Sequence, residues 1–552
     1  MSTSSRLQLL VFIVFEHIAP GFYRSTVKFN HQVQPLRLSG IDPLSHRIAN
    51  RPITDSTIAY ANVGLLGADG EAVATIDYAI VGAYLLIMLA LGVYAQIQQK
   101  HPDDYFVGGR RLGTFSIAVL WMAGWVGGAT VIGSAGRAHD LGITAIWYGL
   151  ALAIGCFVFA VVLARKVKIL GDAHQYLTYP DLIEHRFDSR TRAIATLTTL
   201  LAFIAFAAGQ LAAAASIIEI MLSWTFGQSL LLATSIVVAY TAIGGFIAIT
   251  YTDWAQIVLL VAGVVFIGLP IAILNGGSPA NLSATLDGSQ FEIGAWGWPA
   301  IIAMVISITM SFLVSMDSFT RSYAARDETA AQRGPLFAVI IILVIGFAAT
   351  WIGLTAAVAL PDIESGDGVL PAFILAFFPA GLKGLILVGI LAAVMSTADI
   401  CILTVSANIT RDLYQRFVNP DAQPGRLLRL GILTSAVIGS LAGLMAWQMQ
   451  SIIDILLVGF TINGAALVIP TIAAVYWPHT ESRPAFWSIC AALTVVLAWQ
   501  LASRLSDASF LSVDPLWPGF ISACLVFAVL HRHRAPWAPP DKLLAPHAKA
   551  SS

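Results

Sequence analysis

The sequence predicts an all-α polytopic membrane protein with about thirteen transmembrane helices. Three observations carry that reading. Of 552 residues, 57% are hydrophobic and 11% charged, with a mean hydropathy of +0.79, whereas a soluble chain carries about 25% charged residues. Apolar runs of about 18 residues, long enough to cross a bilayer as helix, recur from Ile76 onward. Lys and Arg crowd every second connection between those runs.

Residues 1–74 are polar and mixed, with an apolar patch at 7–15 that is too short to span a bilayer and has no convincing cleavage site. They read as a poorly ordered extension, or as a start placed too early, with the protein proper beginning near Val73. The spans follow at 76–97, 115–136, 143–165, 193–222, 229–247, 252–274, 298–321, 336–360, 383–410, 427–447, 451–476, 485–504 and 514–532. The basic connections include Arg110 and Arg111, then Arg165 and Lys166, then Arg321, Arg326 and Arg333, then Arg411 and Arg416. The opposite ones hold Arg137, Lys383 and Arg504. The bias places the N-terminus outside the cell membrane and the C-terminus, with its tail at 533–552, in the cytoplasm.

The spans divide into an accessory helix and loop (75–114), a first repeat (115–274), a second repeat (298–476) and two accessory helices (485–532). With five helices in each repeat, the second is inverted relative to the first. Both repeats open on an irregular helix. In the first, Ala118-Val-Leu-Trp-Met-Ala-Gly-Trp-Val-Gly-Gly-Ala-Thr130 carries a break at Gly127-Gly128. In the second, 299–323 is unusually polar, with Ser307, Thr309, Ser311, Ser315, Asp317 and Ser318. Paired irregular segments point to a transporter's binding site.

A later apolar helix carries Ser396, Thr397 and Asp399. In hydrocarbon, a carbonyl freed at a helix break needs a partner. Freed carbonyls and neighbouring hydroxyls together make an all-oxygen site for a small hard cation such as sodium. Positions 393, 396 and 397 share one helix face. Ser and Thr in mid-helix also bond back to their own i−4 carbonyl, which is the alternative. Asp399 is a carboxylate near mid-membrane, where charge is costly and marks function by default. It reads as a coupling or gating residue, as a counter-charge for a cationic solute, or as the partner of a nearby Arg. Trp125, inside the break, offers a face for a quaternary ammonium. Thr130, Gln210, Ser311 and Ser315 are candidate hydrogen-bonding groups for a solute.

The motifs Asp104-Tyr-Phe-Val-Gly-Gly-Arg-Arg-Leu-Gly113, Tyr251-Thr-Asp-Trp-Ala-Gln256 and Ala392-Ala-Val-Met-Ser-Thr397 resemble those of the sodium:solute symporter family over about residues 76–480. Trp125-Val-Gly-Gly128, Met395-Ser-Thr-Ala-Asp399 and Gly368-Val-Leu-Pro371 look closest to its high-affinity choline transporter branch. The resemblance implies a LeuT-like five-plus-five inverted-repeat core and sodium coupling. It implies a sodium site from the carbonyls of Ala123, Val126 and Ala393 and the hydroxyls of Ser396 and Thr397. It adds Asp253, otherwise an N-cap, to the sodium exit path, and a gating role for Arg110. For a solute site around Trp125, Gly127 and Gly128, it implies an aromatic at Phe206. Two further aromatic positions of the choline branch fall on Ile154 and Ser315, so a choline cage is incomplete.

The implied function is sodium-driven import of a small organic solute by alternating access, the solute being choline-like, another amine, an amino acid, pantothenate or a carboxylate. A transporter-like sensor is the other class, and the roughly twenty residues after the last span leave no room for a kinase module. An enzyme is not expected: there is no His-Glu metal cluster, nucleophile elbow or phosphate loop. No cofactor is expected beyond the coupling ion, and no basic block for nucleic acid is present. Cys156, Cys401, Cys490 and Cys524 read as inert helix residues.

Overall fold

The computed structural model describes residues 75–98 and 110–531, apart from 362, 364, 365, 450, 478, 507 and 508. The extension at 1–74, most of the 104–113 motif and the tail at 533–552 lie outside the described residues. Among the described residues the regular structure is helical apart from one isolated bridge, Leu112 with Ala325.

The helices are α1 (Thr75–Gln98), α2 (Thr114–Trp125), α3 (Ser134–Leu141), α4 (Ile146–Val162), α5 (Ala164–His174), α6 (Tyr179–Arg186) and α7 (Ser189–Leu222). Then come α8 (Phe226–Leu260), α9 (Leu269–Leu274), α10 (Pro279–Thr285), α11 (Trp298–Val314), α12 (Met316–Ala324), α13 (Glu328–Ala359) and α14 (Val369–Phe377). Last are α15 (Leu382–Ala407), α16 (Pro424–Gln448), α17 (Ile452–Tyr476), α18 (Ser482–Leu505) and α19 (Leu516–Leu530). By length and composition, eight described helical stretches are able to cross a membrane, or nine if the bent pair α11–α12 counts as one.

Polar residues set the helix starts. The side chains of Asp188 and Asp327 accept from the N–H groups of Thr191 and Ala330, each at 2.7 Å, capping α7 and α13. Thr178 and Asp181 form a capping box on α6. One expected boundary is absent. The chain is helical without interruption from Phe226 through a π-helical stretch, Val261–Gly268, to Leu274. The turn expected near 248–251 is therefore helix, and Asp253 lies inside α8 rather than at an N-terminus. Polar residues at 250–253 resemble a stop signal, but apolar helix on both sides overrides it.

The centre is built from α7 and α15, each apolar and buried along nearly its whole length. α7 packs against α15 and α17, α11 against α4 and α17, and α13 against α2, α3 and α4. Runs of alanine in α7, from Ala212 to Ala215, let backbones approach closely, which is how helices gain contact in lipid. The accessory helix is fixed by one buried carboxylate. Asp77 Oδ1 accepts from the N–H groups of Gly381 at 2.8 Å and Gly384 at 2.7 Å, closing the open N-terminus of α15.

Asp77→Ala strips an acceptor from two N–H groups at the head of α15, a loss of about 1–3 kcal/mol for each buried unsatisfied group. Its thermal midpoint in detergent falls below that of the native protein, and Asp77→Asn, which keeps an acceptor, falls less. Equal midpoints for the native and Ala proteins would remove this role.

Candidate functional site

The site begins where α2 stops. Val126 has φ −92° and ψ 74°, and the chain resumes helical form at Gly128. The break thus falls at Val126–Gly127, one residue before the expected pair. The last carbonyls of a helix have no partner within it, and here, past the final helical bond, two are taken up by side chains. Met122 O accepts from Val126 N at 2.8 Å. Ala123 O accepts from Thr397 Oγ1 at 2.9 Å, across to α15. Trp125 O accepts from Thr130 Oγ1 at 3.1 Å. On the other side of the break, Gly128 N donates to Gln210 Oε1 of α7 at 2.8 Å. Only glycine fits at 128: a Cβ would lie 2.2 Å from that of Ala213.

α15 meets the break with the expected face. Thr397 Oγ1 also donates to Ala393 O at 3.0 Å, and Ser396 Oγ donates to the same carbonyl at 3.0 Å. Ala123, Val126, Ala393, Ser396 and Thr397 are all buried. The back-bonding alternative and the inter-helix contact therefore coexist in Thr397, whereas the hydroxyl of Ser396 stays on its own helix.

The second irregular helix also breaks. α11 ends at Val314, Ser315 is extended at φ −61° and ψ 127°, and α12 leaves at 45°. Between the two breaks and α15 lies a cavity of about 30 Å³, room for a water-sized molecule. Its walls include Trp125, Phe206, Phe460, Gln210, Asp317 and Thr397. Trp125 stacks on Phe312 with ring centroids 3.9 Å apart, and Phe460 lies 4.8 Å from Phe206. With these rings in contact the cavity has no room for more than a water-sized molecule.

Several expectations change here. The cavity is richer in aromatics than one Trp and one Phe, since Tyr148, Phe203 and Phe460 also line it. Phe460 comes from α17, far along the chain, and nothing in the linear sequence joins it to Trp125. The Thr130 hydroxyl is used by the break itself. Ser311 Oγ accepts from Asn463 Nδ2 at 3.2 Å. Ser315 is fully buried, with no hydrogen-bond partner for its hydroxyl among the described residues. Cys401, read as an inert helix residue, lines the cavity.

Arg321, assigned above to a basic connection, is buried in α12 and paired with Asp317. Asp399 is fully buried and accepts from Thr241 of α8. It does not line the cavity, and among the described residues no Lys or Arg forms a salt bridge with it. The side chain of Asp253 lies outside the described residues.

Each end of the bundle carries its own polar closure. At one end, Arg110 donates to the carbonyls of Tyr176 at 2.5 Å and Gly171 at 3.2 Å, joining the chain before α2 to the α5–α6 connection. At the other, Arg137 of α3 meets Asp454 of α17 at 3.5 Å. Beside them, Asp367 accepts from Ile452 N at 3.1 Å. Burial raises the Asp367 carboxyl to about 6; the Ile452 N–H and Arg137 oppose the rise, and Asp454 and Asp140 add to it.

Helices that stop and restart in mid-bundle, with their carbonyls turned to a neighbour, are the construction of secondary transporters. Comparison with known proteins is specific. Residues 105–491 match the model of the sodium:solute symporter family, and the chain belongs to that family. By family it is a sodium-coupled symporter of a small organic solute. A sodium/proline symporter of Haemophilus influenzae is 25% identical over 474 residues, covering 81% of this chain and 92% of the relative. A sodium/pantothenate symporter of Escherichia coli is 25% identical over 464 residues, covering 82% and 95%. The solved structure of a Na+-coupled sialic acid symporter, substrate-bound and outward-open, shares the fold. Its TM-score is 0.69 at 22% identity, covering 83% of this chain and 97% of that one.

A carboxyl whose folded value is raised binds its proton more readily when folded. Its contribution to stability is therefore present below the unfolded value, near 4, and is lost as pH rises through about 6. Between pH 7 and pH 5 the native protein gains thermal stability that Asp367→Asn does not gain. Parallel pH profiles for the two proteins would contradict this.

Proposed function

We propose that sodium binds between the break at Val126–Gly127 and α15, held by the carbonyls of Ala123, Val126 and Ala393 and the hydroxyls of Ser396 and Thr397. The observation that carries this is the contact from Thr397 Oγ1 to Ala123 O, 2.9 Å across two helices. All five donors are oxygens, suited to a hard cation, and no carboxylate is needed for a monovalent one. A hydroxyl that donates to these carbonyls in the absence of an ion turns its lone pairs to the ion when one enters.

Sodium in this position ties the first broken helix to α15. It biases the transporter only through a difference in its affinity between the outward-open and inward-open states. With the solute bound beside Trp125, the outer end closes. Opening of the Arg110 end then parts Thr397 from Ala123, and the ion leaves for the cytoplasm. In this reading Arg110 is an inner gate, Asp253 lies on the exit path, and Asp399 couples α15 to α8 through Thr241. In this reading the chain spans the cell membrane with its N-terminus outside and a five-plus-five inverted core, and the expected spans 229–247 and 252–274 are the two parts of the continuous helix from Phe226 to Leu274. The two breaks, at Val126–Gly127 and Ser315, stand at corresponding places in its two halves. The kinship to the choline branch rests on sequence motifs; the relatives above carry proline and pantothenate.

The double variant Ser396→Ala, Thr397→Ala keeps its fold and needs at least tenfold more sodium for half-maximal stabilisation against heat, because an ion that binds only the folded state stabilises by mass action. An unchanged sodium titration would sink the assignment of these two hydroxyls.

A further inference from the structure

The sodium site leaves unexplained a buried charged pair beside the cavity. Asp317 and Arg321 stand four residues apart on α12 and face each other as an ion pair, both buried. The pair sits just past the second break. Ionisable groups at this depth mark function by default, and a buried ion pair is weak support for stability, because desolvation offsets most of its attraction.

The two partners are not placed alike. Asp317 lines the cavity and Arg321 does not. Arg321 lies behind it, so close to Gly124 that a Cβ there would meet its Nη2 at 1.7 Å. Its guanidinium also rests over the ring of Trp121, 5.7 Å from the centroid. The cavity therefore shows a carboxylate on one wall, with its counter-charge withdrawn. The other walls are largely aromatic, led by Trp125, Phe206 and Phe460. Aromatic faces carry negative potential and attract cations. Gln210 and Thr397 are engaged at the break, and the walls also carry the Tyr148 hydroxyl and the Cys401 thiol. The indole Nε1 of Trp125 is buried with no hydrogen-bond partner among the described residues. It is a donor left for an acceptor group on whatever enters.

Resting on the symporter reading, we propose that Asp317 selects the solute by taking its positively charged nitrogen. Trp125 and Phe460 flank that nitrogen, and Arg321 keeps the empty site neutral from behind. The solute class is a small ammonium compound, from a primary amine to a quaternary one. A zwitterion fits as well as a simple cation, because its acid group has the Trp125 N–H to meet. A plain anion meets a carboxylate and the negative faces of the rings.

The test is a thermal-shift titration of the purified full-length protein in sodium and in potassium. The probes are choline, glycine betaine and proline, with 3,3-dimethyl-1-butanol as the uncharged shape of choline and propionate as an anion. At least one ammonium probe stabilises the native protein in sodium, and the uncharged and anionic probes do not. Asp317→Asn loses at least tenfold in apparent affinity for that probe, and Asp317→Glu recovers part of it. Should Asp317→Asn fail to fold with Arg321 unpaired, the double variant Asp317→Asn, Arg321→Gln removes both charges. It retains stabilisation by sodium alone and loses the ammonium probe.

Equal stabilisation by dimethylbutanol and choline would overturn the proposal. So would stabilisation by propionate alone, no response to any ammonium probe, or an unchanged affinity in the double variant. Ammonium binding identical in sodium and potassium would remove the sodium coupling and still uphold the role of Asp317.

Discussion

A carbonyl released from a helix inside a bilayer has no water to turn to, and the structure depends on how the carbonyls of α2 are answered. Thr397 Oγ1 and Thr130 Oγ1 take those of Ala123 and Trp125. The second partner is local. The first reaches across to α15, and it is the one that makes the break informative. A helix end satisfied wholly by its own residues is only a kink. One satisfied by a neighbouring helix depends on where that neighbour stands. In the proposed sodium site, movement of α15 relative to α2 changes the oxygen set at the break, which is the difference between states that a coupling ion requires.

The same economy governs the cavity beside the break. Gly128 has no Cβ, so the break approaches α7, where Ala213 fills the space and Gln210 answers the Gly128 N–H. The rings of Trp125 and Phe312 close against each other, leaving about 30 Å³. Beyond the cavity, Arg110 on one side and Arg137 with Asp454 on the other hold the ends of the bundle by polar contacts. Such contacts exchange for water at modest cost. The apolar middle, by contrast, keeps its packing.

Much of this was legible in the chain, and the reason is local physics. Length and apolarity mark a span, so helices such as α1, α15, α16 and α17 stand within a few residues of their expected places. Gly127-Gly128 marks a break, and Ser396 with Thr397 marks a polar face, because each is a property of adjacent residues. Misreadings came where tertiary context decides. Residues 248–251 look like a turn, yet helix runs through them. Arg321 lies near a connection and was assigned to it, whereas α12 carries it inward beside Asp317. Phe460 reaches the cavity from α17, and no spacing rule ties it to Trp125. An Asp and an Arg four residues apart on a polar helix was the one signal that pointed to the buried pair.

The most direct measurement is equilibrium binding of radioactive sodium to the purified protein, native and Thr397→Val, in detergent without solute. The valine keeps the shape of the side chain and removes the oxygen. Saturable sodium binding to the native protein, not displaced by potassium and weakened at least tenfold in the variant, is the predicted result. Saturable binding that is equally tight in the variant would contradict a sodium site between the break and α15.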